Sequence, residues 1–188
     1  MKTVKIIGKG QSLTDVIKVD DNDNYVYAVL NSSIRLIDGV ADYHFMNDFE
    51  NLNKIGSLDL IKTKNLIIPS FPHIHEKANI DYTHEYFIDL LPKCYNAHIF
   101  IYELYTAPIK GKFESLDVTW SVLETALRWF IKRGYRKFEL CGVTENPGYS
   151  KLIYWEKPST HQNNVWLKKN ISIARNILDT NDCEYTFA

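Results

Sequence analysis

The chain has 188 residues, of which 45% are hydrophobic and 24% charged, and its formal net charge is −1. This length suits one folded domain with a sizeable core, and the near-neutral charge carries no electrostatic signature of binding to DNA or to an anionic membrane. The sequence has no signal-peptide pattern and no apolar run of the ~18 residues that a membrane span needs, so we expect a cytoplasmic protein without a transmembrane segment or a nucleic-acid partner.

The first half of the chain alternates short apolar runs with polar turns. Runs of this kind, rich in β-branched residues and bounded by Gly, Pro, Asn or Asp, predict buried strands. We predict five of them, at residues 2–7, 25–30, 42–46, 65–68 and 98–102. After the first strand, Ser12 or Thr14 can cap a short helix that ends near Lys18. A further helix is predicted over residues 50–61.

The last third has the clearest pattern. Apolar residues recur at helical spacing over 117–133, and Gly134 is well placed to end that helix. A strand at 136–142, a loop at 143–159, a helix at 166–178 and a strand at 184–187 follow. Strands that alternate with helices predict an α/β fold: a single Rossmann-like, doubly wound and mostly parallel sheet over residues 1–188, with helices on both faces.

In such a sheet, ligands bind beyond the carboxyl ends of the strands. The first strand ends in the turn Gly8-Lys9-Gly10-Gln11-Ser12, where glycines let the backbone approach a ligand and a following helix would offer N–H groups to an anion. Leu13 replaces the third glycine of GxGxxG and no Walker ending follows, which disfavours an NAD or ATP site. The pattern alone leaves open whether this turn binds phosphate or has no ligand.

His161 lies in a polar segment immediately ahead of the last predicted helix. Since no apolar residues surround it, a buried structural role does not explain it well. With an ordinary pKa near ~6.5, a histidine at this rim can take a proton from a hydroxyl nucleophile. A solvent-facing helix cap is the alternative. No Ser/His/Asp or Cys/His arrangement stands out, so we do not expect a covalent nucleophile.

Two further clusters contain residue types that bind metals. His73, His75 and His84 form a loose group that could hold zinc, and Asp21-Asn22-Asp23 could hold a divalent ion. A polar surface segment explains the histidines better, and the acidic string lies before the second strand, at the wrong edge of the sheet. The three cysteines lack CxxC or CxC spacing. We therefore predict no metal site.

The order of these motifs resembles the bacterial sialyltransferases of glycosyltransferase family 42, and related α/β proteins with a strand–GxGPSL opening, some of them pterin diphosphokinase-like. IIGKGQSL is similar to the family's strand and GNGPSL nucleotide loop, with Lys9 and Gln11 in place of asparagine and proline. AVLNSS is similar to a strand ending in a nucleotide-contacting asparagine, and ETALRWFIKRGYRKFELCGV to the family's helix and next strand. THQNNVWLKKNISIARNIL resembles the ending whose histidine is the family's proposed general base.

The resemblance implies a metal-independent, sialyltransferase-like glycosyltransferase without a cofactor. It would move a sugar from a nucleotide-activated donor, such as a CMP-linked one, to a hydroxyl of a glycan or other acceptor. His161 would be the catalytic base, and Tyr149 and Tyr154 would hold the donor phosphate. The residues implied to hold the nucleotide are Gly8, Lys9, Gly10, Gln11, Ser12, Asn31 and Ser32. Additional candidates for the site are Asp48, Ser121 and Thr144.

Two other functions stay open at this point. The chain could bind a nucleotide or nucleotide sugar without catalysis, in which case His161 only caps a helix. It could also transfer diphosphate to a pterin-like acceptor, which would require Mg²⁺ and carboxylates such as Asp42 or Asp48. The sequence leaves open the sugar, the acceptor and whether the chain forms a homo-oligomer.

Overall fold

A computed structural model describes residues 2–20, 23–46, 62–69, 98–103, 114–115, 121–155 and 164–188. Its strands, in chain order, are β1 (Thr3–Ile7), β2 (Ile17–Lys18), β3 (Tyr25–Leu30), β4 (Ile37–Asp38), β5 (Ala41–Phe45), β6 (Thr63–Pro69), β7 (His98–Glu103), β8 (Glu114–Ser115), β9 (Lys137–Cys141) and β10 (Glu184–Phe187). Its α-helices are α1 (Val122–Lys132) and α2 (Asn164–Thr180), and a 3-10 helix covers Asn31–Leu36.

Eight of the strands form one sheet in the spatial order β10-β9-β1-β3-β5-β6-β7-β8, and each neighbouring pair is parallel. From β1 the chain moves outward on one side through β3, β5 and β6, and it later returns to the other side of β1 for β9 and β10. The direction of strand addition therefore reverses between β1 and β9. In open α/β sheets, the crevice beside such a reversal is where ligands bind.

The sheet carries a hydrophobic core on each face. Both described α-helices pack on the first face, where the core residues include Ile6, Ala28, Phe45, Trp129, Phe130, Ala174 and Leu178. The 3-10 helix and the loops after β1 and β9 cover the second face, where the core includes Ile7, Val29, Leu66, Leu13, Ile34, Leu36 and Ile153. This arrangement confirms the predicted α/β fold class, with helical elements on both faces of a parallel sheet.

Helix α1 has well-defined ends. The hydroxyl of Ser121 accepts a hydrogen bond from the N–H of Glu124 at 3.2 Å, and the extended backbone of Ser121 (φ −142°) marks the N-cap. Gly134 follows the helix with φ +86°, a conformation that glycine adopts without steric cost. The predicted stop at Gly134 is confirmed. The predicted start at residue 117 is wrong, because an extended Ser121 cannot lie inside a helix; residues 116–120 lie outside the described part.

The short helix predicted after the first turn is also wrong. Ile17 and Lys18 form strand β2, which pairs with β4. The hydroxyl of Ser12 donates to the carbonyl of Ala188 at 3.0 Å instead of capping a helix, and that of Thr14 donates to Asp15 at 3.0 Å. The β-branched residues of this segment favour extended backbone, which explains why strand pairing prevails there.

The other predicted elements agree with the structure wherever it describes them. Each of the seven predicted strands is present, with bounds within two residues of those expected, and so is the helix predicted at 166–178. The helix expected at 50–61 falls outside the described residues. Within the described ranges, no helix is long and apolar enough to cross a membrane.

Candidate functional site

A cavity of about 200 Å³ opens beside the reversal point, at the carboxyl ends of β1, β3 and β9; we call it the switch-point cavity. Turns after these three strands form its walls together with the first turn of α1 and residues 167–171 of α2. Its lining includes Gly8, Lys9, Gly10, Asn31, Ser33, Ser121, Val122, Leu123, Gly142, Thr144, Asn146, Tyr149, Leu167, Asn170 and Ile171. Seven residues proposed from the sequence are among them: Gly8, Lys9, Gly10, Asn31, Ser121, Thr144 and Tyr149.

The two glycines of the first turn hold one loop tightly against another. A Cβ on Gly8 would lie 2.6 Å from the carbonyl oxygen of Gly142, and a Cβ on Gly10 would lie 2.7 Å from the same atom. The N–H of Gly8 donates to Cys141 O at 2.8 Å, and that of Gly10 donates to Gly142 O at 2.6 Å. Both N–H groups therefore donate to backbone carbonyls at the end of β9 and directly after it. The expectation that they would face a bound anion, with a helix N-terminus behind them, is wrong.

The side chain of Lys9 is the cation at the cavity. Its ammonium lies 4.5 Å from the centre of the Tyr149 ring and 3.4 Å from the Tyr149 hydroxyl. The backbone keeps the two residues together, since Gly10 and Tyr149 form an antiparallel bridge and the N–H of Ser150 donates to Lys9 O at 2.8 Å. A lysine stacked on a tyrosine in this way presents a positive charge and a hydroxyl side by side.

Gln11 and Ser12 do not line the switch-point cavity. The amide of Gln11 donates to the carbonyl of Pro147 at 2.8 Å, and it lies so close to Gly148 that a Cβ there would come within 2.5 Å of Nε2. Ser12 lines a neighbouring depression that contains Arg175. Both side chains tie the first loop to other parts of the chain, so the contacts with a nucleotide predicted for them have no support in this geometry.

Tyr154 and Ser32 are also separated from the cavity. The side chain of Tyr154 is 84% exposed and lines another depression, where its ring centre lies 6.0 Å from the guanidinium carbon of Arg35. The structure thus does not bring Tyr149 and Tyr154 together, contrary to expectation. Ser32 is fully buried and does not line the cavity, whereas its neighbour Ser33 does. Successive residues of a 3-10 helix point about 120° apart, so only one of the two serines can face the cavity.

Three buried polar atoms at this cavity lack a hydrogen-bond partner among the described residues: Asn31 Oδ1, Ser33 Oγ and Asn170 Oδ1. Ser33 as a whole has no exposed surface. Asn31 has φ +50°, a left-handed conformation that asparagine tolerates better than most residues. An unsatisfied buried polar group costs about 1–3 kcal/mol, so three at one place indicate a site built for a hydrogen-bonding ligand or water.

The side chain of His44 stabilises the left-handed turn at Asn31 through a hydrogen bond to its backbone. It is fully buried on β5, and its Nε2 lies 2.7 Å from the carbonyl oxygen of Asn31. Because a carbonyl only accepts hydrogen bonds, Nε2 carries the proton. Burial lowers the pKa of His44 from 6.5 to about 4, although the bond to Asn31 opposes this shift. The imidazole is therefore neutral near neutral pH and acts as a fixed donor.

The first turn of α1 and the turn after β9 complete the wall. Val122 and Leu123 are the first residues of α1, and the leading N–H groups of a helix have no intrahelical acceptor. Thr144 faces the cavity, and its hydroxyl accepts from the N–H of Asn146 at 3.1 Å. Cys141 ends β9 close by, but burial raises the pKa of its thiol to about 12, so it is not available as a thiolate nucleophile.

Several predicted residues fall outside this geometry. His161 and Asp48 lie outside the described residues, as do His73, His75 and His84, and the acidic string 21–23 is described only at Asp23. Asp42 lies near the amino end of β5, where its carboxylate accepts from Lys64 Nζ at 2.8 Å and from the N–H of Tyr27 at 2.9 Å. It therefore does not lie at the carboxyl-end rim. Within the described ranges, no three His, Cys, Asp or Glu side chains are grouped as a metal ion would require.

The sequence places residues 31–33 at the carboxyl-end rim and so includes Ser33, but it gives no role to His44 or Asn170. Asn170 carried a usable signal, because it interrupts the apolar stripe that Leu167, Ile171 and Ala174 form along α2. A polar residue on such a stripe needs a polar partner. His44 has no comparable signal, since its role depends on the pairing of β3 with β5. The sequence also does not decide between Ser32 and Ser33, because that depends on the 3-10 geometry after β3.

Comparison of the chain with protein-family models, with curated proteins and with solved structures found no significant match. These comparisons neither support nor contradict the resemblance to the sialyltransferases.

Proposed function

We propose that this protein is a metal-independent glycosyltransferase that binds a nucleotide-activated sugar in the switch-point cavity. The observation that carries the proposal is the pairing of Lys9 with Tyr149 at a cavity that the first turn of α1 also lines. A ligand there meets two kinds of surface: a cation, a hydroxyl and helix N–H groups, and buried hydrogen-bonding side chains. A nucleotide joins an anionic phosphate to polar groups of a ribose and a base, and so has both kinds of surface.

The charge at the site favours an anionic ligand. Lys9 brings a positive charge, and the amino end of α1 adds the partial positive charge of the helix dipole. Glu124 lies in the same first turn, but its carboxylate accepts from the guanidinium of Arg128 at 3.0 Å, which balances its charge. The resemblance to the sialyltransferases implies that tyrosine hydroxyls bind the donor phosphate. Of the two tyrosines to which it gives this role, Tyr149 lines the cavity and Tyr154 does not.

The proposed reaction needs a base and a stabilised leaving group. The acceptor hydroxyl oxygen attacks the anomeric carbon of the sugar, and its new C–O bond forms as the bond from that carbon to the nucleotide phosphate breaks. The electron pair of the broken bond leaves with the phosphate. Lys9 and Tyr149 would stabilise the negative charge of this leaving group. The hydroxyl proton passes to the base, a role that the resemblance assigns to His161.

Binding is tested first, by thermal shift with CMP, CDP, UDP, GDP and ADP, each with and without Mg²⁺. We expect stabilisation by at least one nucleotide without Mg²⁺, and loss of most of it in Lys9→Met. Lys151→Met is the matched control, because Lys151 is an exposed lysine that does not line the cavity. No stabilisation by any nucleotide, or equal losses in both variants, would refute the nucleotide site.

Transfer is tested separately, by following nucleotide release from CMP-sialic acid and from UDP- and GDP-linked sugars with glycan acceptors. We expect turnover in EDTA, abolished in His161→Ala while nucleotide binding is kept. Binding without turnover of any donor would instead indicate a non-catalytic nucleotide-sugar binder. Strict dependence on Mg²⁺ and ATP would favour diphosphate transfer, a reaction for which Asp42 is poorly placed because Lys64 and the backbone of Tyr27 occupy its carboxylate.

A further inference from the structure

The polar floor of the switch-point cavity consists of Asn31, Ser33 and Asn170, and it has a definite hydrogen-bonding character. Two of its unpartnered atoms, Asn31 Oδ1 and Asn170 Oδ1, are amide oxygens that only accept hydrogen bonds. The third, Ser33 Oγ, both donates and accepts. A ligand that satisfies this floor must present at least two donors, and one acceptor for the serine.

These three side chains come from two separate elements that both line the cavity. Asn31 and Ser33 begin the 3-10 helix directly after β3, and Asn170 lies on α2. They are held there firmly, since His44 fixes the backbone of Asn31 at 2.7 Å and Ser33 has no exposed surface. The floor is therefore preorganised, which is typical of a site that binds its ligand selectively.

A vicinal diol is the group that matches this floor. Its two hydroxyls donate to the two amide oxygens, and either hydroxyl oxygen accepts from Ser33. In a nucleotide, such a diol is the 2′,3′ pair of the ribose. The position also agrees with the fold: in parallel nucleotide-binding sheets, the residue at the end of the second strand of the sheet commonly bonds the ribose, and Asn31 follows β3, the strand that pairs with β1 on that side.

We infer that Ser33 and Asn170, together with Asn31, bind the 2′- and 3′-hydroxyls of the nucleotide's ribose, so that the protein selects ribonucleotides over deoxyribonucleotides. This inference rests on the proposed function, because it takes the ligand of the cavity to be a nucleotide. It orients the nucleotide with its ribose on the floor and its phosphate toward Lys9 and Tyr149. Ser33 and Asn170 are thus specificity-determining residues that contact the ligand away from the reacting bond.

The test measures dissociation constants by calorimetry for CMP, UMP, AMP and GMP and for their 2′,3′-dideoxy counterparts. We expect the best-binding ribonucleotide to bind about 10-fold more tightly than its dideoxy form, since two hydrogen bonds to buried groups are lost. In Ser33→Ala and in Asn170→Ala, this ratio falls toward one. Asn176→Ala is the matched control, because Asn176 is an exposed asparagine of α2 away from the cavity, and it keeps the wild-type ratio.

The outcomes separate the two proposals. Binding of both forms with equal affinity by the wild type would overturn the ribose inference and leave the nucleotide site standing, as would a ratio that Ser33→Ala and Asn170→Ala do not change. Failure of every nucleotide to bind would overturn the nucleotide site and this inference with it, leaving the polar floor to water alone. Thermal unfolding of each variant, measured without ligand, excludes misfolding as the cause of a changed ratio.

Discussion

The Nε2 atom of His44 lies 2.7 Å from the carbonyl oxygen of Asn31, so a buried side chain on β5 fixes the residue at which β3 ends. The contact joins neighbouring strands at the edge of the sheet where the switch-point cavity opens. It also makes the turn at Asn31 sensitive to protonation, because burial disfavours the protonated imidazole by more than the bond to Asn31 O favours it.

The first prediction concerns acid stability. Burial lowers the pKa of His44 to about 4 in the folded chain, against 6.5 for the ordinary side chain. Between these two pH values the unfolded chain binds a proton that the folded chain does not, so the free energy of unfolding decreases as the pH falls from 6.5 to 4. The decrease from this residue amounts to about 3 kcal/mol.

Urea unfolding of the wild type and of His44→Gln at pH 7, 5.5 and 4 measures this effect. Glutamine keeps a donor for Asn31 but does not titrate, so the wild type should lose about 3 kcal/mol more stability than the variant over this range. The other histidines are the same in both proteins. Parallel pH profiles would show that His44 is not a buried neutral histidine.

The second prediction compares two buried serines. Ser33 Oγ has no partner among the described residues, whereas the hydroxyl of Ser150 donates to Leu13 O and accepts from the N–H of Leu152 at 3.2 Å. Ser150→Ala should therefore lower the free energy of unfolding by about 1–3 kcal/mol, while Ser33→Ala leaves it unchanged or slightly higher. Urea unfolding without ligand measures both. A larger loss in Ser33→Ala than in Ser150→Ala would contradict the hydrogen-bonding pattern of the cavity floor.

The third prediction separates steric crowding from backbone strain at glycine. A Cβ on Gly8 would meet Gly142 O at 2.6 Å, whereas Gly134 has φ +86° with no atom within 4 Å of its Cβ position. Gly8→Ala should push the two cavity loops apart and cost about 1–3 kcal/mol together with nucleotide binding. Gly134→Ala should cost about 1–2 kcal/mol from its left-handed backbone alone and leave binding intact. Thermal unfolding and a nucleotide titration measure the two effects, and equal loss of binding in both would argue against loop packing as the role of Gly8.

The fourth prediction concerns the two tyrosines to which the family resemblance gives the same role. Tyr149 lines the switch-point cavity beside Lys9, whereas Tyr154 is 84% exposed in another depression. Tyr149→Phe should weaken nucleotide binding about 5- to 10-fold through the lost hydroxyl contact, and Tyr154→Phe should leave it unchanged. Calorimetric titration with the best-binding nucleotide decides between them. A loss confined to Tyr154→Phe would mean that the phosphate lies elsewhere.

The sequence predicts the sheet well because its strands are local, apolar and clearly bounded, as at Ile7 before Gly8 and at Cys141 before Gly142. It also predicts the edge of the sheet at which the cavity lies, since parallel strands put their carboxyl ends together. It does not predict which side chains face the cavity. Ser33 replaces Ser32 there because of the 3-10 helix that starts at Asn31.

Other errors came from contacts between distant parts of the chain. The local pattern favours Ser12 or Thr14 as a helix cap, but their hydroxyls donate to Ala188 O and to Asp15 instead. The resemblance implies that Gln11 contacts the nucleotide, but its side-chain amide donates to the carbonyl of Pro147. Local patterns identify residues able to make hydrogen bonds, whereas the choice of partner depends on which loops the sheet topology brings together.

The loop after β1 and the loop after β9 have a consequence for folding kinetics. Ser150 and Leu13, which bond across them, are 137 residues apart in sequence, and Gln11 and Pro147 are 136 apart. Such contacts close very long chain loops, so we expect them to form only after β9 has paired with β1. On this expectation, the cavity assembles late in folding, and a ligand that binds it stabilises only the completed sheet. Ligand should accordingly slow unfolding while leaving the early steps of folding at their unliganded rate.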